Sequence, residues 1–450
     1  MADIVRMSCD YNNNSRDTNS GNINDKLSNE SIPFSIPDER WAPLNKQTFQ
    51  TFFDSDGRLV KEHEFRKAVF KGGLIQELRA EAWKYLFLFY PPLISAREQQ
   101  TIETERQLRY QLMCERCYKE MPEKLRLSVI HSSTTYPNVP PTNAYCLIQQ
   151  RIEAYKHKFQ WNDMNEHIQL ILKDIPRTDR CSSINNHNRL TRLLITFVCY
   201  HPSIGYAQGM NDMAQCFLNV FTSNEHEAYW CFSYYITQAA EHFTEQGMGT
   251  KIKLLPKLVE KIDKVLFQRI CELNVELWTF CHRWLFLCFR REFIEEEDTL
   301  LCFEVVCSHF LETNSLMSDR LLHDYQLRRS EIEGICMTTK TKSNDEQYYC
   351  TFDYFVCIAM IELLRSCLFD SADELEAMEL IQKHQKTLNV NQVLNLAEKL
   401  FKDYCQILTT STTETTVDLS PVEQSYQLIE VGDDIIRKSV PKNKKSTIKS

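Results

Sequence analysis

Two short segments of this 450-residue chain carry side chains suited to act on a phosphate of another molecule. They read Ile171-Leu172-Lys173-Asp174-Ile175-Pro176-Arg177 and Tyr206-Ala207-Gln208-Gly209-Met210-Asn211-Asp212. The guanidinium of Arg177 stays charged at any working pH, and its planar fork of donors matches phosphate oxygens. The amide of Gln208 both donates and accepts, so it can hold a water molecule in line with a phosphorus atom. Both residue types are therefore suited to phosphoryl-transfer chemistry.

The position of Arg177 depends on the proline before it. Pro176 lacks a backbone N–H and disfavours a helical conformation of the preceding residue. The sequence therefore predicts that the helix ends near Lys173 and that Arg177 lies in a loop. The simpler alternative is that Arg177 only forms a surface salt bridge with Asp174 or Asp179.

Gln208 lies in a predicted turn between two glycines. Gly205 and Gly209 permit backbone angles that other residues resist, and the next helix is predicted to begin around Met210. A side chain at such a break can extend into another molecule. The alternative is that the Gln208 amide only caps the helix that follows.

The eighteen cysteines do not form the pattern of a metal site. Most of them lie in apolar helical segments, where a free cysteine behaves as a small hydrophobic residue. Cys114 and Cys117 form a Cys-x-x-Cys pair, but no second pair follows at zinc spacing, so two incidental thiols are preferred over a metal site. The chain also lacks a Gly-x-x-x-x-Gly-Lys phosphate loop, and we expect no nucleotide binding by this chain alone.

The composition favours an all-α protein. Glycine accounts for 10 of 450 residues, and a glycine-poor chain rich in Leu, Glu, Lys and Gln favours helices over turn-rich β-sheets. The net charge of −9 gives no general attraction to nucleic acid or to an anionic membrane. The polar start of the chain and the lack of a long apolar run predict a cytoplasmic protein without disulfides.

The hydrophobic pattern predicts one helical domain between two polar ends. Residues 1–40 are rich in Asn, Ser and Asp and are predicted to be disordered. The domain is predicted over residues 41–408, with a disordered insertion at 330–347. Residues 409–450 are predicted to form a flexible tail, basic at its end. This tail could contact an acidic lipid surface, although a solvated end is the preferred interpretation.

Several predicted elements surround the two segments. Trp83 lies on the buried face of an apolar-periodic helix, and residues 97–121 are predicted to form a long charged helix that extends outward as a lid or arm. Residues 185–188 are predicted as a polar loop. A buried helix beginning at Leu190 then leads to the Gln208 turn, and an amphipathic helix is predicted around residues 393–404.

The segment from Trp41 to Leu44 follows the acidic pair Asp38 and Glu39 and resembles short motifs that add a strand to ubiquitin-like autophagy modifiers. Pro43 would interrupt the hydrogen bonds of such a strand. The preferred interpretation is that Trp41 packs on the domain where the chain enters it.

Four patterns in this chain resemble, in order, the motifs of TBC domains (Tre-2/Bub2/Cdc16), which activate Rab-family GTPases. The segments that contain Arg177 and Gln208 match the family patterns Ile-x-x-Asp-x-x-Arg and Tyr-x-Gln. Upstream, Arg79 and Trp83 match Arg-x-x-x-Trp. Downstream, Arg283 to Phe293 is similar to Arg-Trp-Leu followed by Lys-Arg-Glu-Phe. Four patterns in register are much more specific than one.

The resemblance extends from about Pro43 to Leu408 and implies a multi-helix, TBC-type Rab-GAP domain with disordered N- and C-terminal tails. One departure is Cys302-Phe303-Glu304, where the family usually has Leu-Trp-Glu. This replacement is apolar and is expected to alter packing more than activity.

The resemblance also implies a function. The chain would be a GTPase-activating protein for a GTP-bound Rab-family GTPase, not itself an enzyme, with Arg177 neutralising charge on the phosphates and Gln208 holding the attacking water. Residues expected to support these two are Asp174, Tyr206, Gly209, Met210, Arg79 and Trp83. No cofactor of its own is expected, because GTP and Mg belong to the partner. The alternatives are a catalytically silent Rab-binding scaffold and a helical adaptor.

Within the family, three stretches look most like the group that contains members twenty-five, fifteen and seventeen. They are Pro43 to Phe53, Ala68 to Pro91 and Phe280 to Glu304. This likeness implies a role in vesicle traffic, with peripheral association on endosomal or autophagic membranes as the narrower expectation.

Overall fold

The computed structural model describes residues 40–91, 93–129, 144–178, 184–273, 277–311 and 351–414. Within these ranges the chain is helical, and its β pairing is limited to two isolated bridges, Leu44 with Leu74 and Phe53 with Leu59. The predicted all-α fold is therefore confirmed. The predicted insertion at 330–347 and nearly all of the predicted N-terminal tail lie outside the described residues.

The first nine helices are α1 (Lys46–Gln50), α2 (Glu62–Gly72), α3 (Gln76–Leu86), α4 (Ala96–Glu120), α5 (Glu123–Val129), α6 (Ala144–Tyr155), α7 (Trp161–Thr178), α8 (Ile184–Tyr200) and α9 (Met210–Val220). They are followed by α10 (Glu225–Gln238), α11 (Glu245–Ile262), α12 (Lys264–Leu273), α13 (Leu277–Phe286), α14 (Glu296–Cys307), α15 (Phe352–Leu363), α16 (Arg365–Asp370), α17 (Glu374–His384) and α18 (Val390–Glu414). The predicted C-terminal helix is present and continues past the expected boundary at 408. None of these helices is both long enough and apolar enough to cross a membrane.

An aromatic cluster holds three of the helices together. The ring of Trp83 in α3 lies 5.1 Å from that of Phe217 in α9 and 5.6 Å from that of Phe303 in α14, measured between centroids. Tilted and edge-to-face pairs of this kind contribute about 0.5–1.5 kcal/mol beyond the burial of their area. The cluster anchors α9, the helix that begins two residues after Gln208, in the core.

A buried ion pair joins α3 to α14. The carboxylate of Glu304 accepts hydrogen bonds from Arg79 Nε at 2.6 Å, from Trp83 Nε1 at 2.9 Å and from the Leu74 N–H at 3.2 Å. Arg79 also donates to Glu297 at 2.8 Å. Burial raises the pKa of Glu304 to about 7, although the Arg79 charge acts to lower it. Arg79 and Trp83 therefore brace α14.

The long helix α4 is not an outlying arm, so that prediction is wrong. Leu108 and Leu112 are buried, and the helix packs against α6, α8 and α10. Arg116 is buried too, and its guanidinium donates to the carbonyls of Ala154 at 2.8 Å and His157 at 2.7 Å. An arginine can bury its methylene stem while its head binds carbonyls. The number of charged residues in a helix is therefore a poor guide to how much of its surface is buried.

The predicted polar loop at 185–188 is also wrong, because α8 begins at Ile184. Leu190 and Leu193 are fully buried and fix the helix in the core. Once a helix is nucleated, each added residue gains a hydrogen bond, and the low propensity of Asn costs only a few tenths of a kcal/mol, about 0.7 at most. Packing downstream therefore extends the helix backward through polar residues.

The chain enters the domain through a backbone pairing that uses Leu44. Its N–H donates to the Gly73 carbonyl at 2.9 Å, its carbonyl accepts from Ile75 at 3.3 Å, and its side chain is buried. Trp41 is 50% exposed and lies beside Lys67, so it packs on the domain only in part. A modifier that needs both Trp41 and Leu44 as anchors does not fit this folded segment, because Leu44 already belongs to the core.

Replacing Glu304 with Gln tests the importance of the buried ion pair. Three donors converge on the two oxygens of Glu304, and an amide has only one acceptor oxygen, so its NH2 group would face a buried donor. We expect the free energy of unfolding to fall by about 1–3 kcal/mol in urea denaturation. Glu297→Gln is the matched control, because the Glu297 side chain is 61% exposed and its loss should cost less than about 1 kcal/mol. Equal losses in the two variants would contradict this role for Glu304.

Candidate functional site

Pro176 lies inside α7, so the predicted helix end near Lys173 is wrong. Proline inside a helix costs about 3 kcal/mol because it removes one hydrogen bond and crowds the preceding turn. Two residues that precede it in the helix, Ile171 and Ile175, are buried, and each contributes about 1.5–3 kcal/mol by leaving water. Packing therefore keeps the chain helical, and Arg177 lies in the last turn of α7 with its side chain exposed.

Arg177 is not held by the salt bridge that the sequence offered as an alternative. Within the described part of the chain, the Asp174 carboxylate contacts the Tyr206 hydroxyl, whereas Arg177 acts on Asp174 only through its electric field. Asp179, the other candidate partner, lies outside the described residues. A cation in the last turn of a helix is favoured by the helix dipole. Arg177 is therefore stable at this helix end while its guanidinium faces solvent.

The predicted turn around Gln208 is confirmed. Gly205 has a φ of +67° and Gly209 a φ of +106°, both in the left-handed region, and α9 begins at Met210 as expected. The N-cap of α9 is Gly209, and no side chain caps this helix. Gln208 is exposed, and no hydrogen bond within the described ranges holds its amide. The helix-capping alternative is therefore not observed.

A buried tyrosine connects the turn to α7. The Tyr206 hydroxyl lies 3.0 Å from Oδ2 of Asp174 and 3.0 Å from Oδ1 of Asn211. The Tyr206 N–H also donates to Nδ1 of His167 at 3.2 Å, so α7 holds this residue at both its backbone and its ring. A Cβ atom at Gly205 would lie 2.6 Å from the His167 ring, so a larger residue does not fit there.

Asn211 joins the two segments directly. Its Oδ1 accepts from the Gly209 N–H at 3.1 Å, and its Nδ2 donates to the Thr178 hydroxyl at 2.9 Å. Thr178 in turn donates to the Asp174 carbonyl at 3.2 Å. Thr178 directly follows Arg177, and Gly209 directly follows Gln208. One buried carboxamide therefore holds the neighbours of both exposed side chains.

The downstream pattern supports the same turn from the other side. Arg291 donates to the buried carboxylate of Asp212, the third residue of α9. A Cβ at Gly209 would lie 2.7 Å from Leu287 and 3.2 Å from the Phe286 ring, so these residues cover the turn closely. Burial raises the pKa of Asp212, and the charge of Arg291 opposes this effect. The Arg283 to Phe293 stretch thus packs against the Gln208 turn.

The number of hydrogens around Tyr206 bears on the charge of Asp174. The tyrosine has one hydroxyl hydrogen, while two acceptor oxygens lie at equal distance from its oxygen. Burial raises the pKa of Asp174, and the Tyr206 hydrogen bond and the Arg177 charge act in the opposite direction. A protonated Asp174 would donate to Tyr206, which could then donate to Asn211. The hydrogen-bond count and the direction of the shift therefore agree.

The structure gathers most of the predicted site residues. Arg177, Asp174, Tyr206, Gln208, Gly209 and Met210 all lie at the junction of α7 and α9. Met210 contributes through its sulfur, which accepts from the Ala207 N–H at 3.4 Å. Arg79 and Trp83 instead contact Glu304, and Trp83 reaches the junction only through its packing on α9.

Sequence reasoning missed Asn211, Thr178 and Arg291. Asn211 stands within the second segment, but its bonding partner Thr178 is 33 positions away and gives no periodic signal. In the described ranges, no group of three or more His, Cys, Asp or Glu is arranged to hold a metal ion. The junction presents an exposed guanidinium and an exposed amide, which can supply positive charge and hydrogen bonds.

Gly209→Ala tests the tightness of the turn. A methyl group there requires a strained positive φ and meets Leu287, so we expect a loss of about 1–3 kcal/mol in the free energy of unfolding. Gly249→Ala is the matched control, because that glycine lies in α11 with open space around it and should stabilise the protein by about 0.5–1 kcal/mol. A neutral result at Gly209 would show that the turn is loose.

Asp174→Asn tests the charge at the junction. Because burial raises the pKa of Asp174 above 3.8, its contribution to stability is present in acid and is lost as pH rises through the raised pKa. An amide cannot ionise, and it can donate to Tyr206 as well as accept. The unfolding free energy of the variant relative to the parent should therefore increase with pH above about 4, measured by denaturant titration at several pH values.

The control for this experiment is Asp163→Asn, which changes an exposed carboxylate in the first turn of the same helix. It should show no gain relative to the parent as pH rises, since an anion near a helix N-terminus is favourable. An Asp174→Asn variant whose relative stability is flat or falls with pH would contradict the assignment.

Comparison with known proteins identifies the family of this chain. The family model of the Rab-GTPase-TBC domain matches residues 76–312. The chain is 29% identical to human TBC1 domain family member 25 over 295 residues, which cover 63% of this chain and 36% of that protein. It is 27% identical to human TBC1 domain family member 17 over 276 residues, which cover 60% of this chain and 37% of that protein. The matched part thus spans little more than a third of these relatives.

A solved structure gives the same answer for the fold. The crystal structure of the Ypt/Rab-GAP domain of Gyp1p covers 80% of this chain and 98% of its own length, with a TM-score of 0.52 and 17% identity. At this identity the likeness shows a shared fold. Because the family model covers more than half of the sequence, the chain belongs to the Rab-GTPase-TBC domain family.

Proposed function

We propose that this chain accelerates GTP hydrolysis by a Rab-family GTPase, with Arg177 and Gln208 entering the nucleotide site of the GTP-bound partner. The observation that carries this proposal is the set of hydrogen bonds from Asn211 to Thr178 and Gly209. These bonds fix the backbone beside each of the two exposed side chains. The chain acts as an activator that completes the catalytic site of its partner.

Arg177 supplies positive charge. During phosphoryl transfer, negative charge spreads over the phosphate oxygens, and a guanidinium delivered by a second protein is worth about 10³–10⁵ in rate. The helical position of Arg177 suits this role, because a rigid helix end loses less conformational entropy on binding than a free loop. The Arg177 side chain is exposed, and it forms no salt bridge with Asp174, whose carboxylate contacts the Tyr206 hydroxyl instead.

Gln208 supplies a donor and an acceptor for the attacking water. Its backbone is fixed by two left-handed glycines and by the contacts of Tyr206, so the amide extends from a rigid turn. Donors and acceptors that are placed before the reaction need no reorganisation when charge develops, and one such group is worth about 10²–10³ in rate. GTP and Mg are contributed by the partner.

The setting of this activity is proposed as intracellular membrane traffic. A cytoplasmic protein that visits endosomal or autophagic membranes is the narrower form of the proposal. It rests on the resemblance of the chain to the group of the family that includes members twenty-five and seventeen.

Single-turnover hydrolysis by a panel of GTP-loaded Rab proteins tests the proposed activity. The parent chain should accelerate at least one of them, Arg177→Ala should reduce the acceleration by about 10³ or more, and Gln208→Ala by about 10² or more. Arg97→Ala and Gln100→Ala are matched controls, because both side chains are exposed on α4. Both controls should retain the parental rate.

The other outcomes identify the alternatives. Binding to a GTP-loaded Rab protein without acceleration would indicate a silent scaffold, and no binding to any Rab protein would indicate a helical adaptor. Acceleration that survives Gln208→Ala would remove the glutamine from the mechanism while leaving the arginine in it.

A further inference from the structure

In a typical surface helix the apolar residues face the core and the polar residues face solvent. In helix α6 this arrangement is reversed. Gln150 is fully buried against α4, where its Oε1 accepts from Arg109 Nε at 2.7 Å, and Ala154 is buried beside it. Ile148 and Ile152, by contrast, are 59% and 62% exposed. Isolated exposed apolar residues are ordinary, but an apolar face turned outward marks a surface that another body covers.

The exposed residues form one continuous stripe. Ile148, Ile152 and Tyr155 are separated by four and three positions, so they lie on one face of the helix, and exposed Tyr145 extends that face toward the N-terminus. At about 100° per residue, this face is opposite the one that contains Gln150. A helix of twelve residues is about 18 Å long, so the stripe runs along its whole length.

Basic residues border the stripe. At about 100° per residue, Arg151 lies on one side of it. Lys156 directly follows Tyr155, the last residue of the helix, and Lys158 lies two positions further along. All three side chains are exposed. The one acidic residue of the helix is Glu153, whose Oε2 lies 3.9 Å from Nζ of Lys156. This local excess of positive charge contrasts with the net charge of −9 for the chain. Arginine and lysine can extend their charged heads away from an apolar surface toward anions.

We infer that α6 is a docking surface for an anionic lipid bilayer, with Ile148, Ile152 and Tyr155 entering the headgroup boundary. A helix with an apolar face and flanking cations lies in the plane of such an interface, its apolar residues about 5–10 Å deep. Tyrosine is enriched at that depth because its ring is amphipathic. The cations bordering the stripe then reach the phosphate headgroups.

A second copy of the chain fits this surface less well. A stable protein interface buries about 800 Å² on each partner, whereas a single stripe about 18 Å long offers a fraction of that area. Pairing two stripes would also bring the like-charged borders of Arg151 and Lys156 together, which costs free energy. A bilayer has no such repulsion and provides anions over its whole surface.

This inference does not rest on the proposed GTPase activation. Membrane docking uses α6, and the proposed activity uses the junction of α7 and α9. A chain that accelerates no GTPase could still bind bilayers through α6, and loss of docking would leave hydrolysis in solution unchanged. The two proposals can therefore fail separately.

Vesicle sedimentation with the full chain tests the inference. The probes are phosphatidylcholine vesicles with and without phosphatidylserine. The parent should bind the phosphatidylserine vesicles more tightly, and the double substitution Ile148→Gln with Ile152→Gln should reduce the partition coefficient by about tenfold or more. Glutamine is uncharged and favours helix at least as well as isoleucine, so the substitution removes apolarity without weakening the helix. The pair Val265→Gln and Leu375→Gln is the matched control, since these residues are exposed singly on α12 and α17.

A second variant, Arg151→Gln with Lys156→Gln, tests the charge border. It should weaken binding to phosphatidylserine vesicles and reduce its dependence on salt, while both double variants keep the parental melting temperature. The inference is overturned if the chain binds no vesicles, if the Ile148 and Ile152 variant binds like the parent, or if the control pair loses as much binding. It is also overturned if sedimentation equilibrium shows a dimer that the Ile148 and Ile152 variant loses, because the stripe would then be covered by a second copy.

Discussion

The hydrogen bonds of Asn211 are the constraint on which the proposed site depends. Its carboxamide accepts from the N–H that follows Gln208 and donates to the hydroxyl that follows Arg177. The Tyr206 hydroxyl and the Asp174 carbonyl close the ring of contacts. The buried carboxamide of Asn211 thereby joins two segments that are distant along the chain. Each segment presents its functional side chain to solvent.

Such a network is stable only if its members are satisfied. An unpaired buried donor or acceptor costs about 1–3 kcal/mol, so losing one partner affects the others. At this junction burial opposes the ionised forms of Asp174 and Asp212, and the charges of Arg177 and Arg291 oppose that effect. The backbone of the site is therefore held by hydrogen bonds, and the pKa values of its two carboxyl groups are set by opposing effects of burial and nearby positive charge. The two exposed side chains extend from fixed backbone positions.

The sequence predicted the parts of the site that depend on local chemistry. Two glycines imply left-handed backbone, and the turn at Gly205 and Gly209 and the helix start at Met210 are both observed. The family patterns identified the exposed side chains, and helical periodicity predicted the all-α fold. These features depend on a residue and its near neighbours, so they can be read from a single chain.

Features that depend on distant packing were not predictable in this way. The helix continues through Pro176 because the burial of Ile171 and Ile175 before it and the Asn211 contact of Thr178 after it outweigh the local cost of proline. Helix α4 was predicted to be exposed because it contains charged residues such as Arg116. The guanidinium of Arg116 is nevertheless buried, and it donates to the carbonyls of Ala154 in α6 and of His157 after α6. Asn211 was missed because its importance comes from Thr178, which only the fold brings near.

In the proposed function, Arg177 and Gln208 reach one phosphate group together. The most direct test is a crystal structure of this chain bound to a Rab protein that holds GDP and aluminium fluoride, which imitates the phosphoryl group in transit. We expect the Arg177 guanidinium and the Gln208 amide both to lie within hydrogen-bonding distance of the fluoroaluminate or its axial water, with the Asn211 contacts intact. A complex in which either side chain lies outside the nucleotide site would contradict it.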